Sequence, residues 1–245
     1  MSTVALAVEG LTVTFDGFKA VDDLNFYVDQ NELRVVIGPN GAGKTTLLDL
    51  ICGKTKASRG SIVFQNRELT ALTEHAIVRA GVGRKFQTPS IYESLTVYQN
   101  LELSYPQHRG VFGALFRAVA PDGVRRIEEV ATQIGLTSHL HDIASLLSHG
   151  QKQWLEIGML LIQDPQLLLL DEPVAGMSPR ERDQTAELLK QIAVNRAMIV
   201  IEHDMQFVAK IADRVTVLHQ GKLLSEGSMK TVQNDPRVVE VYLGH

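Results

Sequence analysis

The chain's 245 residues, 44% of them apolar, are enough to bury a sizeable core as one domain or as a domain with an inserted subdomain. Lys and Arg number 24 against 28 Asp and Glu, a formal net charge of −4; the basic residues are scattered, which speaks against a broad face for gripping nucleic acid. Cys52 is the single cysteine, which excludes an intramolecular disulfide and a cysteine-cluster metal site and makes a reducing cytoplasm the expected setting.

Residues 1–9 have neither the basic flank nor the long apolar stretch of a secretory signal. No apolar run approaches the ~18 residues of a membrane span, so work at a membrane is expected to go through partners. Apolar alternation over 11–15 and 24–28, around the turn signal Asp16-Gly17, predicts strands that begin an antiparallel layer. The apolar run 35–37 then enters Gly38-Pro39-Asn40-Gly41-Ala42-Gly43-Lys44-Thr45 and the helix-prone stretch from Thr46 to Ile51. The spacing G-x-x-x-x-G-K-S/T between a strand and a helix reads as a nucleoside triphosphate cradle. Its glycines let backbone N–H groups converge on phosphate oxygens, the helix presents its positive end, Lys44 reaches the β- and γ-phosphates, and Thr45 binds Mg²⁺. Cys52, behind this loop, reads as a small buried residue.

Residues 60–64 predict another strand, and 82–86 lead to Gln87. From about residue 90 to 165 the pattern is largely helical. Within it, 105–121 carries two prolines and two glycines around the apolar patch 111–116, which reads as an insertion between helices. Four leucines at 167–170, a helix over about 180–194 and a strand at 198–201 follow; this alternation argues for a parallel sheet with helices on both faces. The pair 215–218 and 222–225 flanks Gln220-Gly221, a two-residue hairpin turn.

The four leucines run straight into Asp171 and Glu172, two carboxylates at the C-terminal end of a buried strand, the edge at which open parallel sheets collect ligands. Asp171 would hold Mg²⁺, and Glu172 would orient and deprotonate the water that attacks a γ-phosphate. His203 ends another apolar strand and would reach the same phosphate. Leu147-Ser148-His149-Gly150-Gln151 opens a helix, where Ser148 and the first N–H groups would form a second phosphate-binding surface; a plain helix cap explains Ser148 equally well.

The order of these motifs resembles the nucleotide-binding subunit of ATP-binding cassette (ABC) transporters over essentially the whole chain. Residues 147–151 are similar to the family's LSGGQ signature, Gln87 to its Q-loop glutamine, and His203 to its switch histidine. The resemblance implies a P-loop NTPase core with a mainly parallel sheet flanked by helices, an N-terminal antiparallel β layer and an inserted helical subdomain. The expected divisions are 1–89, 90–165 and 166–245. It further implies ATP and Mg²⁺ as cofactors, with Phe15 stacked on adenine, the loop from Gly38 to Thr46 on the phosphates, and Ser148, Gly150 and Gln151 contacting nucleotide. Thr45, Gln87 and Asp171 are the expected metal ligands, and Glu172, His203, Gln87 and Lys44 the catalytic set. An ordinary strand aromatic is the competing reading of Phe15.

Two positions depart from the commonest pattern: His149 replaces the first glycine of the signature pair, and Ser178 stands where many members carry the D-loop aspartate. Residues 171–177, 202–205 and 241–244 resemble ATPases of branched-chain amino-acid and urea importers, and 147–159 with 217–221 resemble the urea type most. The implied partners are a second ATPase subunit, of the same or a different chain, two membrane permeases and, indirectly, a solute-binding protein. The implied place is the cytoplasmic face of the membrane. A lipid or lipopolysaccharide exporter ATPase and a soluble nucleic-acid switch are the rival readings.

Overall fold

The computed structural model describes residues 4–85, 91–106 and 121–243. In chain order the elements are β1 (Val4–Phe15), β2 (Phe18–Asp29), β3 (Leu33–Ile37), α1 (Lys44–Ile51), β4 (Arg59–Phe64), β5 (Arg67–Glu68), α2 (Glu74–Arg79) and β6 (Val82–Lys85). Next come α3 (Val97–Ser104), α4 (Pro121–Gln133), α5 (His149–Leu161), β7 (Leu167–Asp171), α6 (Pro179–Ala193) and β8 (Ala197–Ile201). The chain ends with α7 (Met205–Ile211), β9 (Arg214–His219), β10 (Lys222–Gly227), α8 (Met229–Gln233) and α9 (Pro236–Leu243). Gln87 and residues 107–120 of the sequence-read insertion lie outside the described residues.

Two compact units form. One comprises Met1–Arg84, Gln166–Pro173 and Leu189–His245; the other comprises Lys85–Pro165 and Val174–Leu188. The segment Val174–Leu188 thus groups with the helical unit, whereas the sequence reading assigned everything after 165 to the core.

The first unit holds two sheets. β1 and β2 are longer than the alternating cores at 11–15 and 24–28 implied, and they meet through Asp16 and Gly17, both at positive φ (47° and 87°). Such a turn twists with the strands it joins. This antiparallel sheet runs β2-β1-β4-β5, and the larger one runs β10-β9-β3-β8-β7-β6. β3, β7 and β8 are buried at every position, as strands covered on both faces must be. β3 pairs in parallel with β8 and β9, and β7 with β8. Val36 lies opposite Ile201, and Ile201 opposite Asp171, so the carboxyl ends of β3, β8 and β7 finish level. The hairpin read at Gln220-Gly221 joins β9 to β10 antiparallel, again with both residues at positive φ.

In the second unit α5 packs against α3 and α4. Gly158 allows this approach: a Cβ there would lie 2.6 Å from Ile134 Cδ1 and 3.2 Å from Leu101 Cδ2. Capping boxes start α3 (Thr96 with Gln99) and α5 (Ser148 with Gln151), each satisfying two otherwise orphaned N–H groups. Lys85 and Glu156, both buried, pair at 3.2 Å.

Apolar patterning gave no sign of Arg34, a fully buried guanidinium inside β3. It donates to Glu32 Oε1 at 2.6 Å, Thr216 Oγ1 at 2.8 Å, the Tyr27 carbonyl at 2.8 Å and Glu226 Oε2, and it stacks 5.4 Å from the Phe26 ring centre. Removing one member of a buried ion pair strands the other without solvent. Arg34→Met is therefore expected to lower the unfolding free energy by about 3–5 kcal/mol, measured by urea denaturation, whereas a drop under about 1 kcal/mol would mean that Glu32 regains water.

Candidate functional site

The phosphate loop is shaped by carbonyls pressed against its glycines. A Cβ on Gly38 would sit 2.2 Å from the Leu218 carbonyl oxygen, and one on Gly43 would sit 2.5 Å from that of Ala20. Both glycines also have positive φ, 152° and 99°, so a side chain there meets both backbone strain and a clash. The β9–β10 turn braces the loop from beneath: Gly221 N–H donates to the Ala42 carbonyl at 3.0 Å, and Asp22 N–H donates to the Gly221 carbonyl at 3.0 Å. The sequence marked Gln220-Gly221 only as a turn, and nothing in its pattern pointed to this bracing role.

Gly43 caps α1 without any side-chain acceptor, and no acidic residue occupies the first turn of α1. The first N–H groups of α1 are thus left for an external anion. Lys44 Nζ rests on the loop's own carbonyls, Gly38 at 2.8 Å and Pro39 at 3.0 Å. Burial pulls the Lys44 ammonium below its ordinary pKa, while the Glu172 and Asp171 charges oppose that shift.

Asp171 is 2% exposed. Burial raises its carboxyl above the usual range, with a hydrogen bond from the Thr45 hydroxyl and the Arg84 charge acting the other way. Its Oδ1 has no hydrogen-bond partner. A buried carboxylate oxygen without a partner, next to a threonine hydroxyl, matches the oxygen donors that a hard divalent cation takes. Among the described residues no group of three or more His, Cys, Asp or Glu gathers as a metal cage, so further ligands have to come from elsewhere, as phosphate oxygens and water do for Mg²⁺.

Glu172, one step beyond β7, is forced into the left-handed region at φ 47° and donates its N–H to the Ile201 carbonyl at 3.0 Å. Backbone strain of this kind collects at functional positions. Its Oε1 lies 3.6 Å from His203 Nδ1, so the level strand ends bring the two sequence-predicted catalytic side chains together. Phe15 is 48% exposed at the end of β1, opposite Phe18, which is 63% exposed; Phe18 went unnoticed in the sequence because it lies outside the alternating run.

In the helical unit Ser148 caps α5, accepting from Gln151 N–H at 3.2 Å while Gln151 Oε1 accepts from Ser148 N–H at 2.9 Å. Gln151, predicted as a nucleotide contact, is occupied here as the cap's reciprocal partner, and its Nε2 lies 3.1 Å from His139 Nε2. His149 reaches across to the Ala175 carbonyl at 3.0 Å. Glu181 joins this cluster. Its Oε1 accepts from Ser148 Oγ at 2.9 Å and Gly150 N–H at 3.2 Å, and its Oε2 from Ser178 N–H at 2.9 Å and Oγ at 2.7 Å. The signal for Glu181 was present in Ser178-Pro179-Arg180-Glu181, a capping box with proline in the first helical position.

Residues 21–175 match the family described as "ABC transporter", and residues 222–245 match "Branched-chain amino acid ATP-binding cassette transporter". The chain is a member of the ABC transporter ATPase family. It is 36% identical over 253 residues to the high-affinity branched-chain amino acid transport ATP-binding protein LivG of Salmonella typhimurium, covering 100% of this chain and 99% of that one. It is 34% identical over 256 residues to BraF of Pseudomonas aeruginosa, with the same coverage. Among solved structures, the ADP conformation of an ATP-binding cassette from an ABC transporter superposes with a TM-score of 0.86 at 29% identity, covering 100% of both chains. A nucleotide-free cassette reaches the same TM-score at 28% identity, covering 99% of this chain and 100% of that one. This chain is thus an ATP-binding, ATP-hydrolysing cassette of the branched-chain amino-acid type.

Lys44→Ala in this cassette is expected to weaken ATP binding about ten- to a hundred-fold, the scale of a lost charge-assisted hydrogen bond, by titration calorimetry; unchanged affinity would count against the cradle. Donors from Ser178, first its N–H and then its hydroxyl, followed by Ser148, hold the Glu181 carboxyl down from 4.5 to about 2. Because that value is depressed in the folded state, the stability it contributes is present above about pH 4.5 and lost as pH falls through about 2. Ser178→Ala is expected to move the Glu181 titration upward by carbon-detected NMR, and an unmoved midpoint would mean that Ser178 does not hold the carboxylate.

Proposed function

We propose that this ABC ATPase powers an importer for branched-chain amino acids, working as a pair of cassettes beneath two membrane permeases, on the cytoplasmic face of the membrane. The level ends of β3, β7 and β8, which set Lys44, Thr45, Asp171, Glu172 and His203 around one strand edge, carry this reading. The names of the relatives and the match over 222–245 support the solute class. Among the described residues no helix is long and apolar enough to cross a membrane, and the permeases would supply the membrane path.

Two cassettes would meet head to tail, with ATP on residues 38–45 of one and Ser148 and Gly150 of the other against its γ-phosphate. Phe15 would stack on the adenine. Mg²⁺, bound with the nucleotide through Thr45 and Asp171, and with Gln87 from outside the described residues, would neutralise phosphate charge. Glu172 accepts a proton from the attacking water as its oxygen bonds to the γ-phosphorus, and the bond to the β–γ bridging oxygen breaks to release ADP. Lys44 stabilises charge on the β- and γ-oxygens, and His203 contacts the γ-phosphate and positions the water. Loss of the bridging phosphate removes contacts that held the pair, and its reopening would turn the permeases.

Glu172→Gln is expected to retain ATP binding while single-turnover hydrolysis slows by about 10²-fold or more, the scale of a lost general base; near-normal turnover would remove that role. Urea is the alternative solute, favoured by the resemblance at 147–159 and 217–221. Uptake of radiolabelled leucine and of urea by a deletion strain separates the two: loss of leucine uptake supports the reading, and loss of urea uptake alone overturns it.

A further inference from the structure

The two departures from the commonest family pattern, His149 and Ser178, meet in one hydrogen-bonded cluster around Glu181. Ser148 Oγ and Gly150 N–H are the donors that the two-cassette reading assigns to the facing γ-phosphate, and both already end on one carboxylate oxygen, at 2.9 and 3.2 Å. The fit is close: a Cβ on Gly150 would lie 2.5 Å from that oxygen. The other oxygen takes Ser178 N–H and Oγ at the start of α6, and Ser178 Oγ accepts in turn from Glu181 N–H at 3.3 Å. His149 ties the first turn of α5 to the Ala175 carbonyl at 3.0 Å, and a Cβ on Gly176 would lie 3.2 Å from its ring. The two helix starts are thereby kept in register.

We propose that Glu181 is an internal stand-in for the γ-phosphate: its carboxylate occupies Ser148 and Gly150 in the unpaired cassette, and the facing copy's ATP has to displace it before the pair closes. The inference rests on the two-cassette reading. An anion is what this turn selects, since a hydroxyl and an N–H at a helix start both point to one oxygen. Four donors keep the Glu181 carboxyl ionised, at about 2. Two anions cannot share the two donors, so pairing exchanges one for the other. A γ-phosphate wins by its larger charge and three acceptor oxygens. Because the two carboxylate oxygens serve separate donors, giving up Ser148 and Gly150 leaves the α6 cap in place. Glu181 thus sets the ATP concentration at which cassettes pair, without touching nucleotide in its own copy.

The test uses the full chain in a Glu172→Gln background, with pairing followed against ATP by sedimentation velocity and folding by thermal melting. Glu181→Gln leaves a neutral acceptor, and neutral hydrogen bonds are about half as strong as charge-assisted ones. The ATP concentration at half-maximal pairing is therefore expected to fall about five-fold. Glu181→Asp, one methylene shorter and still charged, is expected to lower it as well, and decides the matter if the glutamine variant does not fold. Ser178→Ala, which weakens the α6 cap and spares the bonds to Ser148 and Gly150, is expected to lower the melting temperature and leave the midpoint in place. An unchanged or raised midpoint in a folded Glu181 variant overturns the stand-in role while leaving the paired cassette standing. Failure of the Glu172→Gln chain to pair at any ATP concentration overturns pairing between two copies of this chain, and the stand-in with it.

Discussion

Everything at the nucleotide site depends on a set of N–H groups at the start of α1 that the protein leaves without a side-chain acceptor. A helix start normally finds a side-chain acceptor, and α3, α5, α7 and α8 all do. α1 begins on Gly43 with none. The loop is prevented from relaxing onto those donors because the Leu218 and Ala20 carbonyls occupy the space on one side and Gly221 holds the Ala42 carbonyl on the other. An anion-binding nest of this kind is costly to keep empty and is stabilised by a phosphate, which is how a purely backbone feature becomes affinity for ATP. Lys44, resting on the carbonyls of Gly38 and Pro39, occupies that position without neutralising the N–H groups.

The strand ends translate this loop into chemistry. Parallel pairing fixes where each strand stops, so a one-residue slip between β7 and β8 would separate Glu172 from His203 and carry Asp171 away from Thr45. Both faces of β3, β7 and β8 are buried, so apolar patterning alone would tolerate such a slip, and polar groups have to hold the register. Arg34, at the start of β3, is one such group, binding β2, β9 and β10 through Tyr27, Thr216 and Glu226. A buried guanidinium that lost these partners would be an unpaired charge away from water, so the strand arrangement that satisfies it is favoured over a slipped one.

What the sequence disclosed follows from how local each signal is. The phosphate loop, Asp171 and Glu172, His203 and the two-residue turns are written in contiguous residues, and each was placed at the intended end of the intended element. The contacts that brace them join residues far apart in the chain, Ala20 with Gly43 and Leu218 with Gly38, and no window of sequence contains both partners. Arg34 was hidden because one charge inside an apolar run does not change its periodicity. The assignment of Val174–Leu188 to the helical unit was hidden for a related reason: the segment continues the chain from a core strand, and only its contacts place it elsewhere. Glu181 is the instructive middle case, since its capping box with Ser178 is local while its bonds to Ser148 and Gly150 are not.

Three carboxylates close to one another in sequence, Asp171, Glu172 and Glu181, are chemically identical groups put to different uses by their surroundings. Asp171 is buried with an oxygen lacking a partner, an arrangement that penalises its charge until a cation arrives. Glu172 sits in a strained backbone conformation at a half-buried position with His203 beside it, which suits the proton-accepting role proposed for it. Glu181 is saturated with donors and stays an anion through the whole physiological range, so it has no capacity to act as a base there. Its charge is instead fixed in place, and the proposed exchange of its donors with another anion would put that fixed charge to use. The same rule that suits Asp171 to the proposed cation contact and Glu172 to the proposed proton transfer therefore suits Glu181 to the proposed competition with phosphate.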